Sequence, residues 1–198
     1  MSGRGAEFLL VHGWMGSEPH DWQRWLEREL TRRGRRVSFP QLPDDERPDL
    51  SEWLVALDAE LRTGAGELCV LCHSLGCWLW LHHAAGRTGE AVARVLLVAP
   101  PDPRWTIPEL ARFPAPPLDA EAVRLAAHST RLVFSRDDPY CPGGADRAFA
   151  SLGLETDQIP AGRHLSTDAG YGEWPAALDW CLDGSTRLTA RATGGERQ

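Results

Sequence analysis

The chain has 198 residues, and its 28 acidic side chains outnumber its 21 basic ones, which leaves a formal net charge of −7. This length suits one domain that buries a substantial apolar core without disulfides. A protein with a net negative charge does not attract nucleic acid or an anionic membrane surface, so we expect neither as a partner.

The cysteines and the apolar runs indicate a reduced, cytoplasmic protein. The five cysteines, an odd number, are at positions 69, 72, 77, 141 and 181. The apolar run 8–11 is too short for a secretory signal, and no run approaches the ~18 apolar residues that cross a bilayer. Cys69 and Cys72 have C-x-x-C spacing, but no second cysteine pair accompanies them, so we interpret them as small buried hydrophobes. We expect no metal and no cofactor.

The spacing of apolar residues predicts alternating strands and helices. Predicted strands cover 7–11, 36–39, 68–71, 92–99, 131–135 and 155–159, and predicted helices cover 19–33, 50–62, 77–86, 119–127, 145–152 and 174–182. Asp49, followed by Glu52 three residues later, resembles a capping box for the second helix. This alternation predicts an α/β domain of about six mostly parallel strands, with helices on both faces.

Two segments stand outside this pattern. Residues 105–117 are rich in proline and predict an irregular loop or a small cap over the site. Residues 184–198 are small, polar and charged, which predicts a flexible C-terminal tail after a domain that spans 1–183.

The stretch 68–76 changes abruptly from a strand pattern to a helix pattern, with Ser74 at the turn. A nucleophile elbow has this plan, and it places small residues two before and two after the nucleophile because strand and helix pack closely there. Gly76 meets the second requirement, and Cys72 stands where glycine is usual. A serine at this point is also typical of an ordinary helix N-cap. Residues elsewhere in the chain are needed to choose between a nucleophile and an N-cap.

Four chemically active positions each follow a predicted strand: His12, Ser74, the pair Asp137 and Asp138, and His164. Sites in parallel sheets collect at the carboxyl ends of the strands, so these side chains should share one edge. A serine needs a histidine to take its proton and a carboxylate to orient that histidine. The order serine, aspartate, histidine is that of an α/β-hydrolase, with Ser74 as nucleophile and His164 as base.

The acid of this triad is either Asp137 or Asp138, since only one of two adjacent side chains can point inward. Hydrolases commonly place the acid four residues before a proline, and Pro142 stands in that relation to Asp138. We therefore favour Asp138, and Asp137 would cap the turn or reach the solvent.

The remaining site residues follow from what acyl transfer requires. Backbone N–H groups of Leu75 and Trp14 are the expected oxyanion donors, and His12 is expected to brace the loop that contains Trp14. Four aromatic residues are candidates for an apolar substrate pocket: Trp14, Trp78, Trp105 and Tyr140.

Taken together, the sequence resembles the compact α/β-hydrolase family that includes YdeN and the retinoblastoma-binding-protein-type serine hydrolases. The resemblance spans about 8–182 and rests on His12-Gly13-Trp14, Trp22-x-x-Trp25, Phe39-Pro40-Gln41-Leu42-Pro43, Glu52-Trp53, His73-Ser74-Leu75-Gly76, Asp137-Asp138-Pro139, Gly162-Arg163-His164 and Gly170-Tyr171-Gly172-Glu173-Trp174-Pro175. It implies a single-domain α/β-hydrolase fold with minimal or no cap and a triad of Ser74, Asp138 and His164. Two residues depart from the family pattern, Cys72 and Arg163.

The resulting hypothesis is a serine hydrolase that cleaves small acyl esters, a carboxylesterase-like enzyme with a small-molecule substrate. Two alternatives stay open at this point: a thioesterase or amidase that uses the same triad, and a non-catalytic protein-interaction module that retains the fold. A protein partner and the oligomeric state are not indicated by the sequence.

Overall fold

Six short segments form one parallel sheet in the computed structural model, which describes residues 7–63, 67–86 and 89–190. The strands are β1 (Phe8–Val11), β2 (Val37–Ser38), β3 (Cys69–His73), β4 (Val92–Val98), β5 (Ala127–Phe134) and β6 (Glu155–Gln158). Their spatial order is β2-β1-β3-β4-β5-β6, and every neighbouring pair is parallel. This confirms the predicted α/β fold with about six parallel strands.

The helices cover both faces of the sheet. They are α1 (Trp22–Arg32), α2 (Leu50–Thr63), α3 (Leu75–Gly86), α4 (Ala120–Ala126), α5 (Ala145–Ala148) and α6 (Pro175–Asp183). The apolar residues of α1 and α6 belong to one core layer, and those of α2 to α5 belong to the other. Right-handed crossovers explain this division for α1 to α5, because the chain moves to one side of the sheet from β1 to β2 and to the other side from β2 through β3 to β6. Helix α6 follows the last strand and returns to the face of α1.

Side chains along each strand alternate between the two core layers. In β1, Leu9 and Val11 face α2 to α5, whereas Phe8 and Leu10 face α1 and α6. Helix α3 is buried around its whole first two turns, from Leu75 to Leu81, and its sequence is accordingly apolar on every side. The strand that precedes Ser74 and the helix that follows it therefore lie at the centre of the molecule.

Local capping explains where the first two helices begin. Helix α1 begins at Trp22, because the Asp21 carboxylate accepts a hydrogen bond from the Trp22 N–H (2.7 Å). Pro19, predicted to lie in the first turn, is thus outside the helix. Asp49 accepts hydrogen bonds from the N–H groups of Ser51 and Glu52 at the start of α2.

The predicted helix 145–152 is interrupted. Helix α5 ends after Ala148, and a separate 3₁₀ turn follows at Ala150–Leu152. The predicted loop or cap at 105–117 packs onto the domain, since Leu110 and Phe113 are buried and the Phe113 ring lies 5.2 Å from that of Trp53. This segment forms no separate cap.

The beginning of the predicted tail is attached to the domain, which corrects the sequence prediction for residues 185–190. Leu188 is buried, and its N–H donates to the Asp157 carboxylate (2.8 Å). Arg131 and the Trp174 indole donate to the backbone carbonyls of Thr186 and Thr189, both at 2.8 Å. Residues 191–198 lie outside the described residues. Over the described ranges, no helix is long and apolar enough to cross a bilayer.

We predict that Leu188→Ala lowers the free energy of unfolding by about 2–4 kcal/mol, because it removes apolar contacts and leaves a cavity. The matched control is Leu182→Ala at a side chain that is 43% exposed, where we expect a change within about 0.5 kcal/mol. Urea unfolding followed by tryptophan fluorescence measures both. Equal, small effects would show that residues 185–190 do not pack as described.

Candidate active site

The site lies where the direction of the chain through the sheet changes. From β1 the chain passes to β2 on one side, and from β3 it passes to β4 on the other, so the carboxyl ends of β1 and β3 form a crevice. The loop that begins with His12 and the turn at Ser74 meet in this crevice. The topology alone thus brings together two of the predicted site elements.

The turn at Ser74 has a strained backbone. Ser74 has a φ of 53°, in the left-handed region that residues with a Cβ rarely adopt. A Cβ added to Gly76 would lie 2.6 Å from the His12 carbonyl oxygen, and one added to Gly13 would lie 2.6 Å from the Ser74 Cβ. Both glycines are therefore required by close backbone packing, which an ordinary N-cap serine would not need.

The cysteines next to the elbow are core residues. Cys72 faces the layer of α2 to α5 and Cys69 faces the opposite layer, because residues three apart in a strand point to opposite sides. The C-x-x-C pair therefore cannot converge on one ion. Burial raises the pKa of the Cys72 thiol above its ordinary value, which keeps it protonated.

Ser74, His164 and Asp138 form a continuous hydrogen-bonded chain. The Ser74 Oγ lies 2.9 Å from His164 Nε2, and His164 Nδ1 lies 2.9 Å from Asp138 Oδ2. Asp138 is buried and also accepts a hydrogen bond from the Tyr140 N–H (2.9 Å). With the proton of the imidazole on Nδ1, Nε2 is free to accept a proton from the serine. This is the arrangement in which a histidine activates a serine hydroxyl.

Asp137 points to a different part of the same loop. Its Oδ1 accepts a hydrogen bond from the Arg163 N–H (3.0 Å) and lies 2.5 Å from the Ser135 Oγ. These hydrogen bonds, that of Ser135 first, lower the pKa of Asp137 below its usual value. Of the two adjacent carboxylates, Asp138 contacts His164 and Asp137 caps the turn before it.

His12 braces the loop after β1, as predicted. Its Nδ1 lies 2.8 Å from the Gly13 carbonyl oxygen, and its Nε2 accepts a hydrogen bond from the Leu42 N–H at 3.0 Å. Burial lowers the pKa of His12, so the ring is neutral and can donate at Nδ1 while it accepts at Nε2. His12 thereby joins the loop after β1 to the loop after β2.

The two predicted oxyanion donors belong to the two segments that meet at Ser74. The Leu75 N–H is the first of α3, and the Trp14 N–H belongs to the loop whose Gly13 abuts the Ser74 side chain. In the part of the chain that the structure describes, neither N–H donates to another group. Helix N-terminal N–H groups also bear a partial positive charge, which suits a developing oxyanion.

Three of the four predicted pocket residues form a row of aromatic rings that begins at His164. The ring of Tyr140 lies 4.4 Å from that of His164, Trp105 lies 5.1 Å from Tyr140, and Trp14 lies 6.2 Å from Trp105. Each of the three is partly exposed. The Trp14 indole is held by its hydrogen bond to the Glu46 carbonyl oxygen (2.8 Å).

Trp78, the fourth predicted pocket residue, is a core residue instead. It is buried in α3, and its indole N–H donates to the Pro101 carbonyl oxygen (3.0 Å). Because α3 is enclosed on all sides, the position four residues after Ser74 points into the domain and not into the crevice.

Two buried polar residues near His164 were missed by the sequence reasoning. His73 directly precedes Ser74, and its Nε2 lies 3.0 Å from the His164 carbonyl oxygen. Asp21 caps α1, and burial raises its pKa to about 6; the hydrogen bonds from the Trp22 N–H and the Ser17 hydroxyl oppose this rise, and a weaker interaction with His164 does so too. The helix-start pattern at Asp21 was a usable signal for the cap, whereas nothing in the sequence shows that either side chain lies near His164.

A family model described as serine hydrolase matches residues 8–181. The Bacillus subtilis protein YdeN is 24% identical over 178 residues, which cover 87% of this chain and 93% of YdeN. The crystal structure of YdeN superposes with a TM-score of 0.77 at 20% identity, covering 90% of this chain and 97% of that one. A YdeN-like protein from Pectobacterium atrosepticum gives 0.72 at 23% identity, with 90% of each chain covered.

We predict that Gly76→Ala lowers the free energy of unfolding by about 1–3 kcal/mol, because the added methyl group meets backbone oxygens of His12 and Val11. Gly86→Ala is the matched control at the end of α3, where an added Cβ has no atom within 4 Å. We expect it to be neutral or slightly stabilising. Chemical unfolding measures the free energy of unfolding of both variants. A Gly76→Ala variant as stable as the unmodified chain would contradict the close packing at this turn.

The buried carboxyl group of Asp21 should make the stability of the fold depend on pH. Its folded pKa of about 6 is above the ordinary value of 3.8, so its contribution to stability is complete below pH 3.8 and is lost as the pH rises through 6. Asp21→Asn keeps the cap but cannot ionise. We therefore expect the stability of the variant relative to the unmodified chain to rise between pH 4 and pH 8, by up to about 3 kcal/mol.

The control for this comparison is Asp119→Asn, which changes an exposed cap at the start of α4. Because this side chain is exposed, removing its charge relieves no cost of burial, and we expect no gain in the stability of this variant as the pH rises from 4 to 8. If Asp21→Asn shows no gain either, Asp21 does not titrate as described.

Proposed function

This chain belongs to the serine hydrolase family, and we propose that it cleaves small acyl esters through an acyl-enzyme formed on Ser74. The observation that carries the proposal is the chain of hydrogen bonds from Ser74 Oγ through His164 to Asp138. A binding module would have no need of a strained serine joined to a buried carboxylate through a histidine.

The proposed reaction has two halves. In the first, His164 Nε2 takes the proton of Ser74 as the Oγ attacks the acyl carbon, and Asp138 stabilises the imidazolium. The N–H groups of Leu75 and Trp14 hold the oxyanion. The ester C–O bond then breaks, and His164 returns the proton to the leaving alcohol. In the second half, His164 takes a proton from a water molecule as that water attacks the acyl carbon. The bond between the acyl carbon and the Ser74 Oγ then breaks, and His164 returns the proton to the Oγ as the acid leaves.

The substrate class follows from the surroundings of Ser74. The partly exposed rings of Trp14, Trp105 and Tyr140 offer an apolar shelf for the acyl or alcohol group. Residues 105–117 are anchored in the core by Leu110 and Phe113, so no lid of that segment is available to enclose a long chain. Both features favour small esters. The buried thiols, none of them in a disulfide, suit the cytoplasm as the compartment.

The test is labelling with a fluorophosphonate probe, followed by identification of the modified residue by mass spectrometry. We expect modification at Ser74 that is absent from Ser74→Ala. Asp138→Asn should slow labelling, and slow hydrolysis of p-nitrophenyl acetate, by a factor on the order of 10²–10⁴, because the imidazolium loses its counter-charge.

The matched control is Asp137→Asn, which keeps an oxygen for the Arg163 N–H and should slow labelling less than about tenfold. Equal losses in the two variants would remove Asp138 from its proposed role. A folded chain that the probe does not label at all would overturn the hydrolase proposal and favour a binding module. Parallel assays with thioester and anilide analogues separate the ester from the thioester and amide alternatives.

A further inference from the structure

The loop that contains His164 has an unfavourable backbone. Ala161, Arg163 and Leu165 have φ values of 50°, 47° and 51°, all in the left-handed region, and none of them is glycine. Each such residue is disfavoured by contact between its Cβ and the backbone. The two residues that flank His164 are among them, so contacts from outside the loop must hold its conformation.

Contacts from the turn after β5 hold the first half of the loop. The Gly162 N–H donates to the Ser135 Oγ (2.9 Å), and the Arg163 N–H donates to Asp137 Oδ1 (3.0 Å). On the other side, Leu165 is fully buried, and its N–H donates back to the Gly162 carbonyl oxygen (2.9 Å). These contacts hold the residues on either side of His164. The carbonyl oxygen of His164 takes part in none of them and accepts a hydrogen bond from a different residue.

That partner is His73, the residue directly before Ser74. His73 is buried, and its Nε2 lies 3.0 Å from the His164 carbonyl oxygen. Burial lowers the pKa of His73 to about 3, so the ring is neutral at neutral pH and donates through Nε2–H. The edge-on ring of Trp22, 5.9 Å away, limits its rotation. One rigid side chain therefore connects the strand that presents Ser74 to the backbone of His164.

We propose that His73 is a positioning residue, whose hydrogen bond to the His164 carbonyl oxygen sets the distance between His164 Nε2 and the Ser74 Oγ. Its ring also packs against that of His164, with the ring centroids 5.1 Å apart, but its hydrogen bond goes to the backbone and not to Nε2 or the Ser74 Oγ. The inference rests on the proposed function. A misplacement of about 1 Å in a catalytic group can slow a reaction on the order of 10²-fold. Loss of this hydrogen bond should therefore lower kcat and leave KM nearly unchanged.

The test compares three variants at one position. His73→Gln places an amide N–H where Nε2–H stood, His73→Asn is too short to reach the carbonyl oxygen, and His73→Leu removes the donor. We expect His73→Leu and His73→Asn to slow fluorophosphonate labelling and kcat by about 10–100-fold, with KM within about twofold, and His73→Gln to retain most of the rate.

His82→Leu is the matched control. The His82 Nε2 also lies 3.0 Å from a backbone carbonyl oxygen, that of Pro114, but this pair is on α3 and the 105–117 segment, away from His164. Its loss should leave labelling and kcat unchanged. If His82→Leu slows labelling as much as His73→Leu, the effect is general and the proposal is overturned.

A second readout does not depend on hydrolysis. The proton that His164 Nδ1 shares with Asp138 should give a downfield ¹H NMR resonance. We expect it in the unmodified chain, in His73→Gln and in His82→Leu, and we expect it shifted or broadened in His73→Asn. A role in folding stability alone would move the unfolding midpoint of His73→Asn but not this resonance.

These measurements separate the two proposals. If the unmodified chain does not label at Ser74, the proposed function fails, and the resonance still decides whether His73 positions His164. If labelling occurs and folded His73→Asn labels at the original rate with an unchanged resonance, the positioning role is overturned while the hydrolase proposal stands. Should His73→Leu fail to fold, the comparison of His73→Gln with His73→Asn alone decides.

Discussion

The close approach of two backbones at the carboxyl ends of β1 and β3 is the constraint on which the site depends. Gly13 and Gly76 leave no room for a Cβ between the loop after β1 and the elbow, and Ser74 takes a left-handed backbone between them. This contact brings the Ser74 side chain against the loop after β1. The two segments that meet here also contain the two proposed oxyanion donors. The strained turn at Ser74 is stable because β3 and α3 are buried between both core layers. The apolar burial of these two elements opposes the strain in one residue.

A second strained element, the loop after β6, completes the site. The loop that presents His164 has left-handed residues on both sides of it. Its N–H groups donate hydrogen bonds to Ser135 and Asp137, and its His164 carbonyl oxygen accepts one from His73. The two strained elements are thus joined to each other at the backbone as well as through the Ser74–His164 hydrogen bond. Strain in functional loops persists only where the surrounding structure over-determines it, and here the turn after β5 and the last residue of β3 provide those contacts.

Burial divides the nine tryptophans into two roles. Six are fully buried and belong to the two core layers: Trp22, Trp53, Trp78, Trp80, Trp174 and Trp180. A seventh, Trp25, is partly buried and packs against the layer of α1 and α6. Trp14 and Trp105 are partly exposed and extend the row of rings that starts at His164. An indole is equally suited to a core and to an apolar shelf, so residue type does not distinguish these roles. The depth of each position in the fold does.

The sequence by itself determined the parallel α/β architecture. Apolar residues alternate between strand spacing and helix spacing along the chain, and residues that favour turns separate the apolar runs. It also placed Ser74, the aspartate pair and His164 after strands, which is why their convergence could be expected. Only the tertiary structure decided that Trp78 is a core residue, that residues 185–190 are attached through Asp157, and that Asp138 and not Asp137 faces His164. These outcomes, and the contacts of His73 and Asp21, depend on residues far apart in the chain, and no local pattern encodes which distant side chains meet.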